Sequence, residues 1–143
     1  MRIFVDANVL FAAAISPDGR SAALFVLAQE GDCDLMTSPH AVSEAHRNLV
    51  MRYSEALDQL SRLRQVVAMV PEAAIAVLRW ARSQGLPEED APILAAAVAA
   101  RADVLVTGDR GHFGHLFGRT VRGLRVLSLA ETLDFVLDQR RRR

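Results

Sequence analysis

IFVDAN (Ile3–Asn8) and DVLVTGD (Asp103–Asp109) decide how this chain folds. Each runs a block of β-branched and apolar residues straight into an aspartate. Runs of that kind, without polar alternation, read as strands buried on both faces, as in a parallel sheet covered by helices. Asp6 and Asp109 then stand at strand ends. In open α/β sheets the ligand crevice lies just outside the carboxyl ends of the strands, so the two acids are placed to share one site. Two like charges roughly 4 Å apart repel by about 4 kcal/mol at an effective dielectric of about 20. Such a cluster either takes up protons or recruits a hard divalent metal.

Outward from these two stretches, helical and strand signals alternate along the whole chain. The first strand covers about Arg2 to Val5, and helical segments run from Val9 to Ala14 and from Ser21 to Glu30, separated by a turn at Ser16–Gly19 and stopped by Gly31. Cys33 to Thr37 is a short strand candidate. Ser38 before Pro39 marks a helix start, with Ser as N-cap and Pro at the first helical position; that helix extends to Tyr53, and Ser54 opens another. Val66 to Val70 reads as a strand and Pro71 to Gln84 as a helix closed by Gly85. Asp90 and Pro92 open an Ala-rich helix to Arg101. After Val104 to Val106 come a loop carrying His112 to Gly118, a strand near Arg125 to Leu129 and a last helix from Ala130 to Arg140. Strands separated by helices predict an α/β fold, a three-layer α/β/α sandwich with a mainly parallel central sheet.

The 143 residues make one domain, 1–143, and a hydrophobic share of 51% with a formal net charge of zero describes an ordinary soluble protein. Cys33 is the only cysteine, so no internal disulfide forms, and the chain opens on a strand pattern rather than a leader, so a reducing cytoplasm is the expected location. The longest nearly uncharged apolar stretch, Ala91 to Ala100, is half the roughly 20 residues that a membrane span needs. No membrane role is expected. Charge is uneven along the chain: residues 1–100 carry eight Arg against twelve acids, residues 101–143 nine Arg against five, and Lys is absent. Arginine's planar fork suits phosphate, so a basic last third ending in Arg140–Arg143 could guide a nucleic-acid backbone, or could simply be a solvated, frayed end.

Each acid has a plainer reading. Asp6 and Asp90 could cap the helices that follow them, and Asp109 could serve the turn. The Asp90 helix is apolar on every face, however, which predicts that it packs deep against the sheet and leaves its first carboxylate at the edge of the core. Glu44 lies two positions from Val42, about 200° around the helix, so by pattern alone it faces solvent.

An acid after the first strand, a helical Glu near residue 40, an Asp opening an Ala-rich helix and an Asp closing a later strand in TGD together resemble the PIN domain. The segments VDANVLF (5–11), LPEEDAPILAAAV (86–98) and ADVLVTGDRGHFGHLFG (102–118) are similar to the bacterial branch that includes VapC-type toxins. The resemblance implies an acidic metal pocket of Asp6, Glu44, Asp90 and Asp109, with Asn8 and Thr107 as supporting polar groups. It implies Mg²⁺ or Mn²⁺ as cofactor and hydrolysis of RNA phosphodiester bonds, leaving a 5′-phosphate and a 3′-hydroxyl. It also implies a small antitoxin partner and a homodimer, with Leu24–Leu27 and the Ser38–Tyr53 helix as candidate contact surfaces. Many members carry another acid two residues after the TGD aspartate, where this chain has Gly111. Arg110, Arg119, Arg122 and Arg125 are the candidate phosphate contacts.

His40 with Glu44, four apart, and His112 with His115, three apart, each share a helix face. Neither pair has the spacing of a zinc motif, so they are expected to be ordinary partly buried or surface histidines rather than ligands. An aspartate after the first strand also begins phosphatases of the haloacid dehalogenase type and response-regulator receivers; Asn8 stands where the former need a second Asp, and both typically use a Lys that is absent here. The remaining alternative is a PIN-like module that binds RNA or protein without cutting, which fits if Glu44 faces solvent or Gly111 empties the metal site.

Overall fold

Ile3, Phe4 and Val5 need cover on both faces, and the computed structural model, which describes residues 1–143, supplies it by placing β1 (Arg2–Val5) inside a six-stranded sheet. α1 (Ala7–Ile15) and α2 (Arg20–Gln29) lead to β2 (Asp34–Thr37), and α3 (Pro39–Arg52) and α4 (Leu57–Arg64) lead to the short β3 (Ala68–Met69). The chain then crosses back through α5 (Ile75–Arg82) and α6 (Ala91–Ala99) to β4 (Val104–Val106). α7 (Arg110–Phe113), β5 (Thr120–Val121), β6 (Leu124–Leu127) and α8 (Leu129–Arg141) complete it. The strand order is β3-β2-β1-β4-β6-β5, parallel throughout except for the β5–β6 hairpin, so the α/β architecture expected from the sequence is present.

The functional consequence lies at β1. It pairs with β2 on one side and β4 on the other, which makes the β1/β4 edge the switch point where an open sheet gathers its ligand crevice. The register sets Val5 opposite Val106, and the Asp6 N–H continues the ladder to the Val106 carbonyl at 3.1 Å, so Asp6 and Thr107 leave the sheet side by side. α6 is the most buried helix: Ala91, Ile93, Leu94, Ala95, Ala96 and Ala97 have no exposed surface. An all-round apolar helix is what the sequence predicted, and its alanines let α5 and α3 approach closely. No single helix is long and apolar enough to cross a membrane.

Several boundaries move for physical reasons. The strand expected over Val66–Val70 is only Ala68–Met69, an exposed edge pairing with β2 alone. The helix expected from Pro71 starts at Ile75, because Glu72 reaches across to accept the His40 N–H at 2.8 Å in the first turn of α3. The loop over His112–Gly118 is helical at its start and packed down by Phe113 and Leu116, which are buried. One strand near Arg125 becomes a hairpin whose two turn residues, Arg122 (φ 48°) and Gly123 (φ 81°), both adopt the left-handed conformation that a tight two-residue hairpin turn demands. Leu24, Phe25 and Leu27 face the core, leaving only Val26 of that expected contact stretch exposed; on α3 the exposed apolar residues are Val50 and Met51.

The arginine tail is neither frayed nor near the crevice. α8 begins with a reciprocal cap between Ser128 and Glu131 and runs to Arg141. Arg140 pairs with Glu30 at 2.9 Å and Asp32 at 3.3 Å, and Arg143 with Asp32 at 3.0 Å. Asp32 is buried just before β2, at the amino ends of the parallel strands and therefore opposite the crevice. Removing residues 140–143 leaves this carboxylate without its partners, at an expected cost of about 1–2 kcal/mol, intermediate between exposed and fully buried pairs. In urea unfolding, the same truncation should cost clearly less in an Asp32→Asn background; an equal cost in both would show that the tail stabilises by other contacts.

Candidate metal centre

Three helices begin at the carboxyl edge of β1 and β4, and each begins at an aspartate: Asp6 for α1, Asp90 for α6, Asp109 for α7. Helix N-termini carry partial positive charge, which favours carboxylates there. The three are used differently. Asp6, buried, accepts the Ala7 N–H at 2.7 Å through Oδ1 and the Thr107 hydroxyl at 2.7 Å through Oδ2. Asp109 caps α7 by accepting the His112 N–H at 3.0 Å through Oδ1. Asp90 opens α6 without making any capping hydrogen bond, so its carboxylate stays in the crevice.

The supporting groups hold this edge together. Thr107 Oγ1 accepts the Asp109 N–H at 3.1 Å and the Asn8 amide Nδ2 at 3.3 Å, and Asn8 Oδ1 accepts the Gly108 N–H at 3.1 Å. A side-chain lattice thus ties the ends of β1 and β4 into one surface.

Asp6, Asn8, Asp90 and Asp109 line a pocket of about 170 Å³ with Glu44, Asn48, Glu89, His112 and Phe11, and Thr107 stands behind Asp6. Glu44 is where pattern alone misleads. Ala41, Ala45 and Leu49 turn α3 to the core, and Glu44, at the boundary of that face, is half-buried and points its charge at Asp6 and Asp90. All four acids and both supporting groups named from the sequence therefore meet. None of Arg110, Arg119, Arg122 and Arg125 lines the pocket. Three of them stack on rings, Arg110 on Phe117 at 5.2 Å, Arg122 on Trp80 at 4.2 Å and Arg125 on Phe135 at 4.9 Å. The sequence reading did not name Glu89, and it set His112 aside as an ordinary histidine, whereas both line the pocket. The available signal was the position of His112, three residues after a capping aspartate, where one helical turn folds it back over that side chain.

Five carboxylates face one another with no arginine among them. Burial is the main cause that pushes the Asp6 carboxyl up to about 6, opposed by its bonds from Thr107 and Ala7 and reinforced by Asp90 and Glu44. Asp90 is likewise raised to about 6, first by burial, with His112 pulling the other way and Glu44, Asp109 and Glu89 adding repulsion. Asp90 Oδ2 and His112 Nδ1 are both buried and lack a hydrogen-bond partner; they lie 2.7 Å apart without the alignment of a hydrogen bond. Oxygen-rich donors whose negative charge only His112 offsets, with two buried polar atoms outside any hydrogen bond, fit a divalent cation.

A PIN domain family profile matches residues 2–111. No curated protein sequence matches the chain. Among solved structures, VapBC2 from Rickettsia felis, bound to a DNA fragment from its promoter, is similar at a TM-score of 0.69 and 15% identity, covering 90% of this chain and 98% of that one. A protein from Pyrobaculum aerophilum gives 0.70 at 20% identity, covering 96% and 90%. VapBC-1 from nontypeable Haemophilus influenzae gives 0.60 at 15%, covering 91% and 99%. At such identities the likeness is one of fold.

Raised carboxyl pKa values mean that the folded chain holds these protons more tightly than the unfolded chain. Their ionisation therefore costs stability as pH rises from about 4 through about 6. Asp90→Asn removes one such charge, and with it only the 2.7 Å charge contact to His112. In chelator, parent and variant should melt alike near pH 4, and the variant should melt several degrees higher at pH 7.5. Added Mn²⁺ or Mg²⁺ should then stabilise the parent more than the variant. A variant no more stable than the parent at pH 7.5 would mean that ionising Asp90 costs the fold nothing.

Proposed function

The chain belongs to the PIN domain family, and from that premise we propose that it is a Mg²⁺- or Mn²⁺-dependent endoribonuclease acting as the toxin of a toxin and antitoxin pair. The observation that carries the reading is the convergence of Asp6, Glu44, Asp90 and Asp109 in one pocket with no basic residue but His112. Glu44 lines that pocket, which favours an enzyme over a module that binds without cutting.

In this reading Asp6, Asp90, Asp109 and Glu44 hold the metal. Bound there, the ion supplies Lewis acidity toward a phosphodiester oxygen and lowers the pKa of water. The Thr107 hydroxyl, donating to Asp6 Oδ2, fixes one carboxylate orientation, and Asn8 fixes Thr107 and Gly108. Glu44, half-exposed, stands where a water can be oriented. Attack by water at phosphorus breaks the P–O3′ bond and leaves a 5′-phosphate and a 3′-hydroxyl, with no use of the ribose 2′-hydroxyl. Arg110, stacked over Phe117 beside Asp109, keeps its guanidinium edge for phosphate.

Two structural relatives are VapBC assemblies, which supports a small antitoxin as the partner of this chain, and the cytoplasm is the compartment proposed for the pair. Val50 and Met51 offer exposed apolar area on α3 for self-pairing into a homodimer.

RNA cut by the purified chain should carry 5′-phosphate ends, and cutting should stop in EDTA. Asp6→Asn and Asp109→Asn should each lower the rate by about 100-fold or more. Cyclic 2′,3′-phosphate ends, or full activity in EDTA, would overturn the metal-dependent reading.

A further inference from the structure

We propose that His112 is a nitrogen ligand in this pocket, joining Asp90 and Glu89, and that it makes the site favour Mn²⁺ over Mg²⁺. The inference rests on the pocket's binding a divalent metal and goes further by assigning a donor and a selectivity.

His40 and His115 have each spent a ring nitrogen on a backbone carbonyl, His40 Nε2 on Glu89 at 2.8 Å and His115 Nε2 on Gln84 at 2.7 Å. His112 has not. Its Nδ1 is buried, 2.7 Å from Asp90 Oδ2 and 2.7 Å from Asp109 Oδ2, yet in a hydrogen bond with neither. Asp90, only 5% exposed, likewise leaves Oδ2 without a partner. A buried donor or acceptor left without a well-aligned hydrogen bond is costly, and the 2.7 Å contact between these two atoms leaves both directed at the same point of the pocket. A cation bound by both atoms satisfies both.

The position of the ring is set by the chain. Asp109 caps α7 through the His112 N–H, and the neighbouring Phe113 is fully buried, which fixes the first turn against the core. His40 meanwhile ties the Glu89 carbonyl to α3. The donor atoms of Glu89, Asp90 and His112 lie within 4.8 Å of one another, close to the span of about 4.2 Å between opposite ligands with bonds of about 2.1 Å. Gly111 brings no competing carboxylate, although a Cβ there would sit in ordinary contact, 3.6 Å from Asp109 Oδ1.

The donor chemistry then sets the preference. Mg²⁺ demands near-ideal octahedral oxygen coordination and keeps much of its water; Mn²⁺ shares its liking for carboxylates but, as a first-row transition ion, also takes a nitrogen donor. Replacing one oxygen position by Nδ1 penalises Mg²⁺ and leaves Mn²⁺, which accepts both donors.

The test is pulsed electron paramagnetic resonance on the full chain loaded with Mn²⁺, alongside Mn²⁺ and Mg²⁺ titrations followed by calorimetry. The parent should show ¹⁴N coupling from a bound imidazole, and His112→Ala should lose it while keeping its far-ultraviolet circular dichroism. The ratio of Mn²⁺ to Mg²⁺ affinity should fall about tenfold or more in His112→Ala and stay unchanged in His115→Ala. Mn²⁺ bound without nitrogen coupling, or an unchanged ratio in His112→Ala, overturns the ligand assignment and leaves the metal-dependent nuclease reading standing. Binding of neither ion to the parent overturns both.

Discussion

The hydrogen bond from Thr107 to Asp6, 2.7 Å long and fully buried, is the contact on which the rest of the site depends. It exists because the parallel register sets Val5 against Val106, so that the first residues beyond β1 and β4 emerge together. Everything else at the edge is counted from there. Asn8 is held against Thr107 and Gly108, Asp109 follows two residues later as the cap of α7, and that cap turns His112 back over the pocket. A slip of one residue in the β1–β4 pairing would turn the buried side chains of one strand to the wrong face of the sheet and part Asp6 from Thr107.

The same edge is where the fold is least content with itself. A core of 39 buried apolar residues surrounds the sheet, yet at the carboxyl ends of its inner strands the chain gathers five carboxylates and no arginine. Burial and mutual repulsion raise Asp6 and Asp90 in opposition to folding, and helix N-termini offset that only in part. Perturbed carboxyls in a cleft are the pattern of a functional site, where stability is given up for reactivity. A cation held between these carboxylates would outweigh their mutual repulsion and turn the liability into cohesion.

Arginine is used in this protein for building as much as for charge. Arg140 and Arg143 neutralise Glu30 and Asp32 at the amino ends of the strands, far from the pocket. Arg122 accepts a left-handed backbone that costs roughly 1 kcal/mol for such a residue, and its stacking on Trp80 offsets a similar amount. Arg110 and Arg125 also lie on aromatic rings. The excess of positive charge in the last third of the chain is thus largely committed to packing.

By itself the sequence determined the elements that local chemistry controls. Unbroken apolar runs made β1 and β4 buried strands, Ser38 with Pro39 started α3, and an all-apolar stretch made α6 a core helix, so Asp6 and Asp109, which follow the two strands, were placed at one edge of the sheet. Tertiary structure alone decided what depends on neighbours remote in the chain. Glu44 faces the pocket because α3 is rotated by the packing of Ala41, Ala45 and Leu49, a choice that its own periodicity leaves ambiguous. The β5–β6 hairpin, the pairing of the arginine tail with Asp32 and the seat of His112 between Asp90 and Asp109 all join residues through contacts with no local signature. Periodicity reports which side of an element is apolar; only the assembled core settles what its polar border residues look at.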